Sequence, residues 1–284
     1  MTIENAERIE ELASLLGKIG VQKILLIEET DPQLHSVTRV AGTHTTGWAA
    51  ATATLTALVS YRLTMKGEEW WDCYARYFTE TPMGTTPVDA ANAVIDFLEK
   101  CPGAVVQREA KKKRIQRVVQ GAETELETLL RDPHRILKSG AWLTQALART
   151  LKQKTWNKTI AFAAKMAYYS VRGSLKEPHP APWDVPIPVD LRISCITYTS
   201  GLLEASSYKK ILSNPYKAVE AWNKIAARSG IPPLNLDSLL WLIGWIPRAY
   251  KPEKARRLIA EKLASHLGAY ADLIAAALTR RECR

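Results

Sequence analysis

Glycine is scarce in this chain, 14 of 284 residues or about 5%, below the roughly 7% of average proteins, which excludes a collagen-like or glycine-rich low-complexity polymer. Cysteine is scarcer: Cys73, Cys101, Cys195 and Cys283 lie far apart and form none of the short Cys-x-x-Cys spacings that zinc sites and iron–sulfur clusters need. No metal or cluster is therefore expected, and a reducing compartment is the simpler setting for four separate thiols. Long apolar runs are missing too. The longest, 48–59 and 239–246, fall short of the roughly 18–20 residues that cross hydrocarbon, and the first is laced with threonine, so no membrane span is expected. The opening stretch MTIENAERIEELASLLGKIG carries glutamates where a secretory signal carries positive charge, so an intracellular protein of the cytoplasm or nucleoid is expected. Acidic residues are in deficit, 29 against 39 lysines and arginines, and the resulting net charge of +10 favours a polyanionic partner while leaving its kind open. Finally, the chain has no GxGxxG, GxxxxGK[ST], HExxH or GxSxG, and its five histidines are scattered, so dinucleotide-binding, P-loop, zinc-protease and serine-hydrolase readings drop away.

What is present is helix. Hydrophobic residues make up 46% of the chain and charged residues 24%, enough apolar material for a real core in one large domain or two smaller ones. Apolar positions recur at three and four residues almost throughout, as in Ile9, Leu12, Leu15, Leu16 and Ile19, or Leu258, Ile259, Leu263 and Leu267. Thr86-Pro87 is a cap followed by proline at the first turn and predicts a helix over 87–100; Ser213-Asn214-Pro215 opens 215–229, and Gly230 closes it. Only 21–27 and 104–106 look extended, and the first could equally finish a helix. The expectation is an all-α fold of about a dozen helices. Two segments break the pattern. Residues 173–188, GSLKEPHPAPWDVPIP, hold five prolines and must form an irregular connector. The run REAKKKRIQR at 108–117 reads either as a solvated helix face or as a nucleic-acid contact.

Residues 150–250 carry the chemistry. On a helix starting near Asn157, Lys158, Phe162, Lys165 and Tyr169 fall three or four apart and share one face, half cationic and half aromatic. Taken alone, such a face is more often lysine stems lying over a core phenylalanine. Downstream, Pro186-Ile187-Pro188-Val189-Asp190 sets a carboxylate after a rigid extended turn, at what is on its own terms an ordinary helix N-cap.

A hairpin, a helix opening with Lys-Thr, and a Pro-Val-Asp at the head of the following helix together resemble the helix-hairpin-helix DNA glycosylases. Here Asp190 comes 32 residues after Lys158 and the hairpin at 152–158 lacks glycine, a pattern similar to that of the archaeal 8-oxoguanine DNA glycosylases (archaeal GO glycosylases). KTIAFAAKM, VPIPVD, Asp31-Pro32-Gln33, the Glu-Glu-Trp-Trp at 68–71, and Asp237 with Trp241 one turn later all have counterparts in that branch.

The resemblance implies a helix-hairpin-helix glycosylase fold with two helical subdomains flanking a cleft, a central one at 45–188 and a terminal one formed by 1–44 and 189–284. It implies a bifunctional DNA glycosylase and abasic-site lyase that needs no cofactor, acts on DNA containing 8-oxoguanine, and works as a monomer. Lys158 matches the lysine that attacks the sugar C1′. Because an amine with a pKa near 10.4 is almost wholly protonated at neutral pH, burial and a second cation, for which Lys165 is placed, are expected to lower it. Asp190 would stabilise positive charge growing on the sugar. Phe162 and Trp241 match the pair that stacks on the flipped base, although each alone reads as core. Gln33 would accept a hydrogen bond from the N7–H that 8-oxoguanine has and guanine lacks. Asp237 would accept from the opposite edge, and the indole N–H of Trp71, with Trp70 as the alternative, would donate to an oxygen. Two other readings stay open: a helical DNA-binding protein without catalysis, and a glycosylase of the same fold for another damaged base such as an alkylated purine.

Overall fold

The structure, a computed structural model, describes residues 3–284. Backbone contacts divide the chain into two compact units, one made of the residues up to Glu28 with Pro186–Arg284, the other of Glu29–Val185. Among the described residues there are eighteen α-helices and one two-stranded ladder, so the all-α expectation holds with more and shorter helices than the periodicity suggests.

The described residues begin with β1 (Ile3–Glu4), α1 (Ala6–Ile19) and α2 (Val21–Glu28). Asn5 caps α1 by accepting from the Arg8 N–H, and Ile9, Leu12, Leu16 and Ile19 bury the apolar stripe. Residues 21–27, which look extended in sequence, are helical: β-branched Val21, Ile24 and Ile27 lower helix propensity only slightly, and burial of Ile24, Leu25 and Ile27 outweighs it.

The second unit runs through α3 (Pro32–Thr43), α4 (Thr46–Leu58), α5 (Gly67–Glu80), α6 (Pro87–Lys100), a 3₁₀ turn (Pro102–Ala104), α7 (Arg108–Gly121), α8 (Glu123–Arg131), α9 (Arg135–Lys138), α10 (Ala141–Leu151) and α11 (Lys158–Arg172). The stretch expected to be extended at 104–106 is not a strand: the 3₁₀ turn ends at Ala104, Val105 has helical backbone angles and residue 106 lies in a turn. Thr86 accepts from the Asp89 N–H at 3.1 Å while the Asp89 carboxylate answers the Thr86 N–H at 3.0 Å, the reciprocal box that starts α6 where the sequence predicts it. The central pair is α4 against α11. Both are rich in alanine, which lets the backbones approach closely, and α4 buries two of its threonines by returning their hydroxyls to carbonyls one turn back, Thr52 to Trp48 at 2.8 Å and Thr54 to Ala50 at 2.7 Å. Residues 29–44, grouped by the sequence reading with the terminal segments, pack as α3 on α4, α5 and α11. No helix forms in 173–190, as the prolines require.

The first unit resumes with α12 (Leu191–Thr199), β2 (Leu203–Glu204), α13 (Tyr208–Ser213), α14 (Tyr216–Ser229), α15 (Pro233–Ile243), α16 (Ile246–Ala249), α17 (Pro252–Leu267) and α18 (Tyr270–Leu278). β2 returns to β1 antiparallel, with Ile3 opposite Glu204. Gly230 ends α14 at φ 72°, a left-handed conformation that glycine adopts without strain. α2 and α12 pack on α15, and α1 packs on α14.

The four cysteines are paired rather than separate, Cys73 with Cys101 across α5 and the end of α6, and Cys195 of α12 with Cys283 of the tail. The Cα–Cα distances, 6.4 and 5.7 Å, lie within the span of a disulfide. Sequence spacing cannot reveal this, since each pairing joins residues from different elements.

Candidate active site

In the second unit the Lys158 face of α11 runs from solvent into the core. Lys158 is exposed in the first turn, Phe162 is half-buried one turn on, and Lys165 and Tyr169 are buried. The burial that a lysine nucleophile leads one to expect is therefore absent at Lys158 in this structure. Lys165, seven residues along and so about 10 Å up the helix, does not stand beside it either. Its ammonium is fully buried, lies 3.8 Å from Asp31 Oδ2 and sits over the Tyr169 ring at 4.9 Å.

Asp31 heads α3. Its Oδ1 accepts from the Gln33 N–H at 2.9 Å, and its Oδ2 accepts from the Tyr169 hydroxyl at 2.8 Å. Proline at the first helical position, where the missing N–H is no loss, completes the start. Gln33 follows in the first turn, only 3% exposed, and its side-chain oxygen Oε1 is buried with no hydrogen-bond partner. An acceptor left in this state costs about 1–3 kcal/mol, so it is a group in want of a donor.

The Trp70-Trp71 pair on α5 resolves into two roles. Trp70 donates its indole N–H to Ser60 Oγ at 2.8 Å and packs on Phe97 at 4.8 Å, so it is spent on the core. Trp71 meets Phe162 edge to face at 5.9 Å. Since α3 packs on both α5 and α11, this unit brings the Gln33, Trp71, Phe162 and Lys165 helices together.

The hairpin before Lys158 is held from α7. Arg114 donates through Nη2 both to Gln153 Oε1 at 3.1 Å and to Thr159 Oγ1 at 3.0 Å, joining the loop to the first turn of α11. Thr150 at the end of α10 donates to the Gly121 carbonyl at 2.8 Å. Burial lowers the Arg114 pKa from its ordinary value. The basic run is thus only partly a solvated face, because Lys111 is also fully buried, between Tyr61 at 5.3 Å and Trp70 at 6.0 Å. Its Nζ has no hydrogen-bond partner, and desolvation pushes its pKa down with Arg108 adding to the effect. Lys113 and Arg117 face solvent.

The first unit carries Asp190, Asp237 and Trp241. Asp190 is the N-cap of α12, and its Oδ1 accepts from both the Arg192 N–H at 2.8 Å and the Ile193 N–H at 2.9 Å. α12 packs on α15, where Asp237 is buried and Trp241 half-buried. The Arg192 guanidinium lies 4.0 Å from the centre of the Trp241 ring and donates to the Trp241 carbonyl at 3.2 Å, coupling the Asp190 turn to Trp241. The neighbouring Glu28 carboxylate, wholly buried, accepts from Asn235 at 3.0 Å and Ser238 at 2.7 Å. Sequence reasoning assigns no role to Tyr169, Arg114 or Arg192. A tyrosine on the lysine face and an arginine two residues after the cap aspartate are the only local signals.

Among the described residues, no group of three or more His, Cys, Asp or Glu side chains could hold a metal ion, and no helix is long and apolar enough to cross a membrane.

Comparison with known proteins identifies the family. A family model described as AGOG, N-glycosylase/DNA lyase, matches residues 13–273. A curated N-glycosylase/DNA lyase from Aeropyrum pernix is 40% identical over 280 residues, covering 98% of this chain and 96% of its own length. One from Pyrobaculum aerophilum is 32% identical over 238 residues, 84% of this chain and 86% of that protein. The fold is similar to the crystal structure of the 8-oxoguanosine-complexed 8-oxoguanine DNA glycosylase of Pyrobaculum aerophilum, with a TM-score of 0.76 at 25% identity, covering 99% of this chain and all of that one.

Proposed function

The chain belongs to the AGOG family of N-glycosylase/DNA lyases, and on that premise we propose that it removes 8-oxoguanine from DNA, reading the lesion with Gln33 and attacking the sugar with Lys158. The observation that carries this reading is the buried, unpartnered Gln33 Oε1. 8-Oxoguanine offers an N7–H to that acceptor, whereas guanine presents a lone pair there, a mismatch worth about 1–3 kcal/mol at a buried position.

The flipped nucleotide places its base against Phe162 and Trp241, and Asp237 accepts from the edge opposite N7. The Trp71 indole N–H donates to an oxygen, and Lys165 backs the recognition turn through Asp31. The neutral amine of Lys158 forms a bond to C1′ as the C1′–N9 bond breaks, and the base leaves with a proton from that amine; the nitrogen lone pair then expels O4′, which takes a proton from solvent as the C1′–O4′ bond breaks, and the sugar ring opens to the protonated imine. Asp190, ionised, stabilises the cationic sugar and then the imine. The imine loses a proton from C2′ and expels the 3′ phosphate, which cleaves the strand. The net charge of +10 suits the phosphate backbone. We expect a monomer acting in the cytoplasm or nucleoid.

The test is an oligonucleotide duplex carrying a single 8-oxoguanine, incubated with and without borohydride and resolved by electrophoresis. The wild type should release the base, nick the strand and, when reduced, form a covalent adduct; Lys158→Gln should do none of these while keeping its melting temperature. An adduct of undiminished yield in Lys158→Gln would remove Lys158 as the nucleophile.

A further inference from the structure

We propose that Asp31 and Tyr169 are positioning residues for lesion recognition: they hold the Gln33 turn so that its unpartnered oxygen keeps one direction, and the inference rests on Gln33 being the lesion reader. Asp31 is 2% exposed and uses each oxygen differently, Oδ1 for the Gln33 N–H at 2.9 Å and Oδ2 for the Tyr169 hydroxyl at 2.8 Å. Lys165 faces the same Oδ2 at 3.8 Å and rests over the Tyr169 ring. The backbone of Gln33 is thus tied, through one buried carboxylate, to two side chains one turn apart on α11, the helix that opens with Lys158.

This arrangement does more than a helix cap requires. A cap needs one acceptor oxygen, and an exposed Asp or Asn supplies it. Here the cap carboxylate is buried, which is costly for a charge unless it is paired and hydrogen-bonded, and α11 supplies both a cation and a hydroxyl. A rigid mount matters most where a side chain must wait without a partner. An amide with an unmet acceptor gains by turning toward any donor in reach, whereas a fixed backbone turn leaves the incoming N7–H as the available one. Misplacing a recognition group by about 1 Å can cost about 10²-fold in rate.

Tyr169→Phe isolates the effect, since it removes one hydroxyl from a buried ring and leaves Lys165 facing Asp31. Because an abasic site has no base to read, positioning of Gln33 must matter for excision and not for the lyase step. Tyr169→Phe should therefore slow single-turnover excision of 8-oxoguanine about tenfold, while strand cleavage at a preformed abasic site and its borohydride adduct stay within about twofold of wild type. Asp31→Asn, which keeps a capping oxygen and removes the charge, should move the same ratio in the same direction. Equal losses on both substrates would mean a general structural role and overturn the proposal, as would an unchanged ratio in Tyr169→Phe. Gln33→Ala separates the two levels. If it abolishes the lesion preference while Tyr169→Phe preserves it, positioning fails and the reading of Gln33 stands; if Gln33→Ala itself leaves the preference intact, the reading falls and takes the positioning role with it.

Discussion

Asp190 has two separable jobs, and a pair of substitutions can take them apart. Both backbone bonds at the start of α12 go to the same oxygen, Oδ1. Asparagine presents an equivalent oxygen and caps helices about as well as aspartate, so Asp190→Asn should keep the cap and remove only the charge. The stability lost is then the helix-dipole contribution of a carboxylate, about 0.3–1 kcal/mol. Asp190→Ala removes the cap as well, adding about 0.5–2 kcal/mol. For a protein of this size each kcal/mol corresponds to a shift of roughly 2–4 °C in melting temperature, so thermal unfolding resolves the two variants. Their chemistry should look alike. Losing the charge that faces a developing cation should cost about 10²- to 10³-fold in single-turnover excision, with affinity for lesion duplex nearly unchanged. If Asp190→Asn melts as low as Asp190→Ala and loses activity only in proportion to its unfolded fraction, the carboxylate is a cap and nothing more.

Lys111→Met should stabilise the protein by about 1–3 kcal/mol, because a buried cation without a hydrogen bond is replaced by an apolar chain of similar length. The gain should depend on pH. With the folded-state pKa lowered, the unfolded chain binds the proton more readily, so wild-type stability rises as pH climbs toward the ordinary lysine value of 10.5 and the advantage of the variant shrinks. A gain independent of pH in denaturant unfolding would show that folded and unfolded chains hold the Lys111 proton equally well, and so that burial does not lower its pKa. The two disulfides close loops of 28 and 88 residues, so replacing Cys73 and Cys101 by serine should cost about 3.5 kcal/mol and replacing Cys195 and Cys283 about 4.5 kcal/mol on the chain-entropy relation. Denaturant midpoints under oxidising conditions check both, and a larger loss from the shorter loop would refute that ordering.

The sequence by itself determined what is local. The spacing of apolar residues repeats every turn and needs no partner to be seen, and the caps at Thr86 and Asp190 work within four residues, so helix 87–100 was legible at both ends and the helix after Asp190 at its start. The resemblance around KTIAFAAKM and VPIPVD likewise rests on contiguous residues, and the family match over 13–273 bears it out. The tertiary structure decided what depends on partners distant in the chain. Periodicity put Lys165 and Lys158 on one face, but only the packing of α3 on α11 shows that Lys165 answers Asp31, 134 residues earlier, and that Tyr169 does the same. Adjacent tryptophans look equivalent in sequence; the fold commits Trp70 to Ser60 and turns Trp71 to Phe162. Helix against strand at 21–27 was undecidable locally because Val and Ile suit both, and burial of one face settled it. The cysteine pairings, the buried Lys111 and the unpartnered oxygen of Gln33 have the same origin: each is a property of what surrounds a side chain, and that neighbourhood exists only after segments far apart in sequence have been packed together.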